Sequence, residues 1–175
     1  SGSMSGYKIE QTKAAYNFFI DHLNADDRFN VISFSDTATV WKDTLVSADP
    51  SNRADAKQFV SNLDTTGGTN IDHALGRAVS LFGTSNSTKA IVFLTDGEPT
   101  VGITHPASIA DNMKNRNAAG IRTFVFGVGE NVCTDLLGRL ALENRGEALY
   151  VHENDALETK LTGFYETISK PLLVD

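Results

Sequence analysis

Residues 89–100 read "KAIVFLTDGEPT", and the placement of this stretch decides the fold. Four consecutive apolar residues, Ile91 to Leu94, leave no alternation of polar and apolar side chains. A strand with one face in water alternates; an unbroken apolar run is a strand covered on both faces. This places Ile91 to Leu94 centrally in a parallel sheet, with Thr95, Asp96 and Gly97 leading out of the carboxyl end of the strand.

Helical periodicity and buried-strand runs alternate on either side. Upstream, "YKIEQTKAAYNFFIDHL" puts Ile9, Tyr16, Ile20 and Leu23 on one helical face. "RFNVISFS" reads as a strand from Phe29 to Phe34, and "TATVWK" as a short strand across a tight turn. "RADAKQFVSNL" and "NIDHALGRAVSLFG" read as helices, the second with Ile71, Leu75, Val79 and Phe82 on one stripe and Gly83 as its stop. Downstream come a helix in "SIADNMKNRNAAG", a buried strand in "IRTFVFGVG", a helix in "TDLLGRLALENRG" and a strand in "EALYVH". The last helix is "NDALETKLTGFYETISK", ended by Pro171. The whole, residues 1–175, reads as one α/β domain: a doubly wound, Rossmann-like, mostly parallel central sheet with helices on both faces. The short strand at Thr37 to Trp41 is its antiparallel edge.

Composition agrees with a folded domain and narrows the function. The 175 residues are 41% hydrophobic and 21% charged, enough for one sizeable core. With 15 basic and 22 acidic residues the formal charge is -7, which argues against binding nucleic acid through basic patches. No apolar run approaches the roughly 20 residues that span a bilayer. The single cysteine, Cys133, excludes an intrachain disulfide and reads as a small hydrophobe.

In an open parallel sheet, ligands bind at the carboxyl ends of strands. Three polar loops fall there: "SGSMSG" before the first helix, "TTGGTN" before the helix near Asn70, and "TDGEPT" after the apolar strand. They offer Ser1, Ser3, Thr69 and Asp96, three hydroxyls and one carboxylate. Such hard oxygen donors suit Mg²⁺ or Ca²⁺ better than zinc or copper. Each loop alone reads as a helix cap or a turn; their convergence at one end of one sheet makes a site.

These strings resemble the von Willebrand factor type A domain over nearly its whole length. Its metal-ion-dependent adhesion site is D-x-S-x-S, then a Thr, then an Asp, and Ser1, Ser3, Thr69 and Asp96 match all but the first Asp. "SGSMSGYKI", "DRFNVISFS", "LTDGEPTVGITHP" and "FYETISKPLL" are similar to the inter-alpha-trypsin inhibitor heavy-chain type of this domain. The resemblance implies a non-enzymatic adhesion module. Its serines would hold Mg²⁺ (alternatively Ca²⁺ or Mn²⁺), and an open coordination position would take a carboxylate from a partner protein. It also implies work outside the cell: extracellular, periplasmic or at the cell surface, without membrane insertion.

The family's strand order is 3-2-1-4-5-6, and its serines follow a central strand ending in the first Asp. That strand and that Asp have no counterpart ahead of Ser1 here. The resemblance thus implies a domain lacking its first central strand between "VISF" and "AIVFL", and a weakened metal site. Residues ahead of Ser1, or a tail strand such as Leu172 to Val174, are expected to fill the place.

Two other readings stand beside the adhesion module. One is a structural α/β module with a vestigial metal site. The other is an enzyme of Rossmann-like fold, and the motifs oppose it. "GVGENV" puts Val132 where a dinucleotide fingerprint needs its third Gly, and "GSMSG" puts Met4 where a hydrolase elbow needs Ser. His22, His73, His105 and His152 sit in four separate elements and read as surface or capping residues. Asn86 in "NST" fits a glycosylation acceptor pattern.

Overall fold

The computed structural model describes residues 2–84, 87–130 and 132–169. A 3-10 turn, Gly2–Met4, leads into helix α1, Tyr7–His22. Strands β1 (Arg28–Phe29), β2 (Ile32–Phe34), β3 (Ala38–Val40) and β4 (Val46–Ser47) follow. Then come α2 (Pro50–Ser61), α3 (Ile71–Ser80), β5 (Ala90–Thr95), α4 (Pro106–Arg116), β6 (Arg122–Val128), α5 (Thr134–Glu143), β7 (Ala148–Val151) and α6 (Leu157–Ser169).

The strands form three ladders. β5, β6 and β7 make a parallel sheet in that order, with Leu94 opposite Phe126 and Phe126 opposite Leu149. β2 and β3 pair antiparallel, as do β1 and β4. Side-chain alternation along β6 splits the core into two layers, one on each face of the sheet. Val125 joins Ile91 and Phe93 under α3, α4 and α5, packed on Leu75, Ile109, Met113, Leu136 and Leu140. Phe124, Phe126 and Val128 point the other way, with Leu94, against Ala15 of α1 and Leu161 and Phe164 of α6. All seven residues of β6 are buried. Helices therefore cover both faces, the arrangement of a doubly wound α/β fold.

Two sequence expectations need correcting. Ile91 to Leu94 lie in β5 as expected, but β6 is the middle strand of the parallel sheet and β5 borders it on one side. The apolar run reports cover on the two faces, which the helices supply; it carries no information about lateral neighbours. The expected strand Phe29 to Phe34 is split into β1 and β2 at Asn30. There the side chain takes over ladder bonding: its Oδ1 accepts from the Val31 and Lys42 N–H groups (2.8 and 3.2 Å), and its Nδ2 donates to the Lys42 and Thr44 carbonyls (2.6 and 2.9 Å).

The antiparallel pair is where the sequence puts it. Trp41 sits one residue past β3, and its N–H extends the ladder to the Val31 carbonyl at 2.9 Å. Helix α2 starts earlier than its apolar pattern suggests, because Asp49 caps the Asn52 N–H (2.9 Å) and Pro50 takes the first helical position. Among the described residues no strand pairs with the second edge of β5 or of β2. Leu172 to Val174, Ser1 and Asn86 lie outside the described residues.

Candidate functional site

Asp96 follows directly on β5. Its residue is 1% exposed although a carboxylate ordinarily seeks water. Lys8, on the first turn of α1, holds it there: Nζ donates to Oδ2 at 3.0 Å, with the carboxylate side chain fully enclosed. A buried charge needs a partner, and this ion pair ties the start of α1 to the end of β5.

The loop with Thr69 comes to the same end of the sheet. The Thr69 N–H donates to Thr100 Oγ1 (2.9 Å), and the Thr100 N–H returns to the Thr69 carbonyl (2.9 Å). Thr100 lies four residues past Asp96, so the two loops are locked together there. Thr69 is 3% exposed. Asn70 caps α3 next to it by accepting from the His73 N–H at 3.2 Å. The β2–β3 turn joins from a third side: Asp36 Oδ1 accepts from the Gly68 N–H (2.8 Å), and the Ser35 carbonyl from the Asn70 N–H (2.8 Å).

The amino-terminal segment completes the cluster. The Gly2 N–H donates to the Gly67 carbonyl at 2.9 Å, placing the turn Gly2–Met4 beside the Thr69 loop. Ser3 belongs to that turn; its side chain, like Ser1, lies outside the described residues. Of the four sequence candidates, Thr69 and Asp96 are thus carried by loops that meet at one end of the sheet, and the backbone around Ser3 is brought to them.

Sequence reading missed Lys8 and Thr100. A lysine in a first helical turn opposes the helix dipole, which favours acids at that end, and this was a legible signal. Thr100 gave none, since its role depends on which loop folds against it. Among the described residues no group of three or more His, Cys, Asp or Glu is placed to hold a metal, so a site at this cluster must rely on hydroxyls and one carboxylate. The histidines serve locally. His73 Nδ1 accepts from the Ala38 N–H (3.2 Å), His22 contacts the Phe18 carbonyl, and His152 pairs with Glu130. Gly129, the second glycine of "GVGENV", bends the chain just after β6 at φ +98.

This fold is shared with known proteins. A von Willebrand factor type A protein from Catenulispora acidiphila superposes with a TM-score of 0.82 at 27% identity, covering 95% of this chain and 39% of that one. Proximal thread matrix protein 1 of the mussel byssus, in a structure described as having a zinc-occupied MIDAS motif, has the same fold (TM-score 0.65, 20% identity, 88% of this chain and 40% of that one). In sequence, inter-alpha-trypsin inhibitor heavy chain H4 of Homo sapiens is 40% identical over 181 residues, 99% of this chain and 20% of the relative. Heavy chain H3 of Bos taurus is 38% identical, again over 99% of this chain and 20% of the relative. The chain thus spans about a fifth of the length of these curated relatives. The family profile of the von Willebrand factor type A domain matches residues 1–164. With the fold and the sequence in agreement, the chain belongs to the von Willebrand factor type A domain family.

Proposed function

We propose that this domain is a non-enzymatic protein-binding module whose site, made by Ser1, Ser3, Thr69 and Asp96, takes a divalent cation and through it a carboxylate of a partner protein. The carrying observation is the enclosed Asp96 carboxylate, which accepts from a cationic group at 3.0 Å and stands at the start of the loop whose Thr100 is bonded to Thr69. An enclosed carboxylate that accepts a cationic partner marks a spot that can take a cation. The donor set is all hard oxygen, which fits Mg²⁺, or alternatively Ca²⁺ or Mn²⁺. Mussel thread matrix protein 1, of the same fold, carries zinc in its motif; the hydroxyl-rich donors here favour a harder ion. Such a cation supplies a positive position with room for one further anionic ligand, and the chain's residues supply its orientation. The resemblance to inter-alpha-trypsin inhibitor heavy chains supports work outside the cell or at its surface, without membrane insertion.

The Lys8–Asp96 pair also favours a second reading, a structural module whose site is vestigial, because the carboxylate already has its counter-charge. Calorimetric titration of the 175-residue chain with Mg²⁺ and Mn²⁺ separates the two. Saturable binding that D96N abolishes and T69A weakens about tenfold or more supports the adhesion module. No binding, or binding indifferent to Asp96, leaves the structural module.

A further inference from the structure

Lys8 is positioned by three separate elements. It sits at the second residue of α1, where the helix dipole disfavours a cation. Its ammonium reaches Asp96 at the end of β5 (3.0 Å), and its side chain is only 19% exposed. Its stem crosses Gly129, just past the end of β6, where a Cβ would come within 2.9 Å of Lys8 Cε and 3.5 Å of Nζ. The glycine at that bend leaves the stem its path, so the contact is built by the tertiary fold.

We infer that Lys8 is an internal competitor for the cation site: its ammonium holds Asp96 in the cation-free protein and must yield when a divalent ion binds. This rests on the proposed metal-binding reading and adds its regulation. The physics is a competition between one positive charge supplied by the chain and two supplied by the solution, at one enclosed carboxylate. Like charges a few ångströms apart in such surroundings repel strongly, so Lys8 lowers the affinity for the ion. In exchange, it gives the buried carboxylate a partner when no ion is present, and the fold stands without metal. A neutral side chain at position 8 removes both effects together: the ion binds more tightly, and the cation-free protein loses stability.

The test uses the full chain with Mn²⁺ as probe. Binding is followed by electron paramagnetic resonance and thermal unfolding in EDTA and in excess Mn²⁺, for wild type, K8Q, K8R and D96N. The expected result is an affinity in K8Q about tenfold or more above wild type. K8Q should also have a lower melting temperature in EDTA and a larger rise on adding Mn²⁺. K8R, whose guanidinium can grip the carboxylate through two hydrogen bonds, should bind about threefold or more weakly than wild type. If K8Q fails to fold in EDTA but folds in Mn²⁺, the inference is supported; if it folds in neither, K8R decides. Asp96-dependent binding in wild type that K8Q does not strengthen, or that K8R leaves unchanged when it decides, overturns the competitor role and leaves the metal site standing. No Asp96-dependent binding in wild type or in K8Q overturns the metal-site reading itself, and this inference with it.

Discussion

At Gly146 the chain passes so close to β6 that a Cβ would fall 1.9 Å from the Thr123 carbonyl oxygen and 2.5 Å from its carbon. The obstacle is backbone, which cannot swing aside as a side chain can. The preceding residue, Arg145, already holds a positive φ of 56 at the end of α5, and the Gly146 N–H closes that end on the Ala141 carbonyl at 2.9 Å. Gly146→Ala is expected to cost about 3 kcal/mol, the upper end of the overpacking range, because either this helix end or the start of β6 must move. A shift of the urea midpoint with unchanged slope measures it; a midpoint like the wild type's would show that the passage has slack. The residues of the proposed cation site are of another kind. Asp96 is enclosed with the Lys8 ammonium, so D96N tests the fold as well as ligand binding, and its melting temperature must be read beside its affinity for the ion.

Helices α3 and α4 are clasped by a charged contact between their inner faces. Arg116 grips Asp72 through two bonds, Nη1 to Oδ1 at 3.0 Å and Nη2 to Oδ2 at 2.9 Å, and Asn112 Nδ2 adds a third at 3.0 Å. Burial strips solvent from Asp72 and by itself would raise its carboxyl. The bonds from Arg116 and Asn112 outweigh this and hold it below the usual carboxylate range. A carboxyl whose folded value is depressed adds stability that is present above its unfolded value, about pH 4, and is lost as pH falls through the folded value. Unfolding midpoints from pH 7 down to 3 should therefore fall more steeply in wild type than in D72N. Equal slopes would remove Asp72 from the acid sensitivity. At neutral pH, R116Q should cost about 2 kcal/mol, less than a fully buried pair because the guanidinium reaches solvent.

Across the molecule, the place to watch is the space between β2 and β5. Thr12, Tyr16, Ile32, Phe34, Leu63 and Leu94 line it. Burial there pushes the Tyr16 hydroxyl up to about 12, and Thr12 Oγ1 is buried with no hydrogen-bond partner among the described residues. Phe34 stacks on Phe93 at 5.3 Å, so side chains bridge the strands on one face, while among the described residues no ladder joins them. We propose that an additional parallel strand belongs here, as the family order 3-2-1-4-5-6 implies. An apolar strand of about six residues added ahead of Ser1 should raise the unfolding free energy by several kcal/mol, since each buried side chain contributes about 1.5–3 kcal/mol. Equal stability of the 175 residues and the extended form, both monomeric and cooperative, would show that the two strand edges need no such partner.

The order of the helices and of the longer strands, the cover on both faces of "AIVFL", the β2–β3 pair and the loops that carry the candidate site were legible in the sequence; the two-residue strand β4 was not. Each rests on a local rule: side-chain period, a cap, a glycine after a strand. Asp96 could be named because it follows an apolar strand, and Thr69 because it is a hydroxyl in a Gly-rich loop before a helix; both are local facts. Lateral order in the sheet was not legible, because an apolar run records which faces are covered and is blind to its neighbours. Nor was the break at Asn30, whose side chain bonds carbonyls twelve and fourteen residues away. The Lys8–Asp96 pair spans 88 residues and exists only because α1, β5 and β6 converge. The misplaced charge of Lys8 at a helix start hints that it has a partner, but which carboxylate that is depends on how distant elements pack, and the tertiary structure alone decides it.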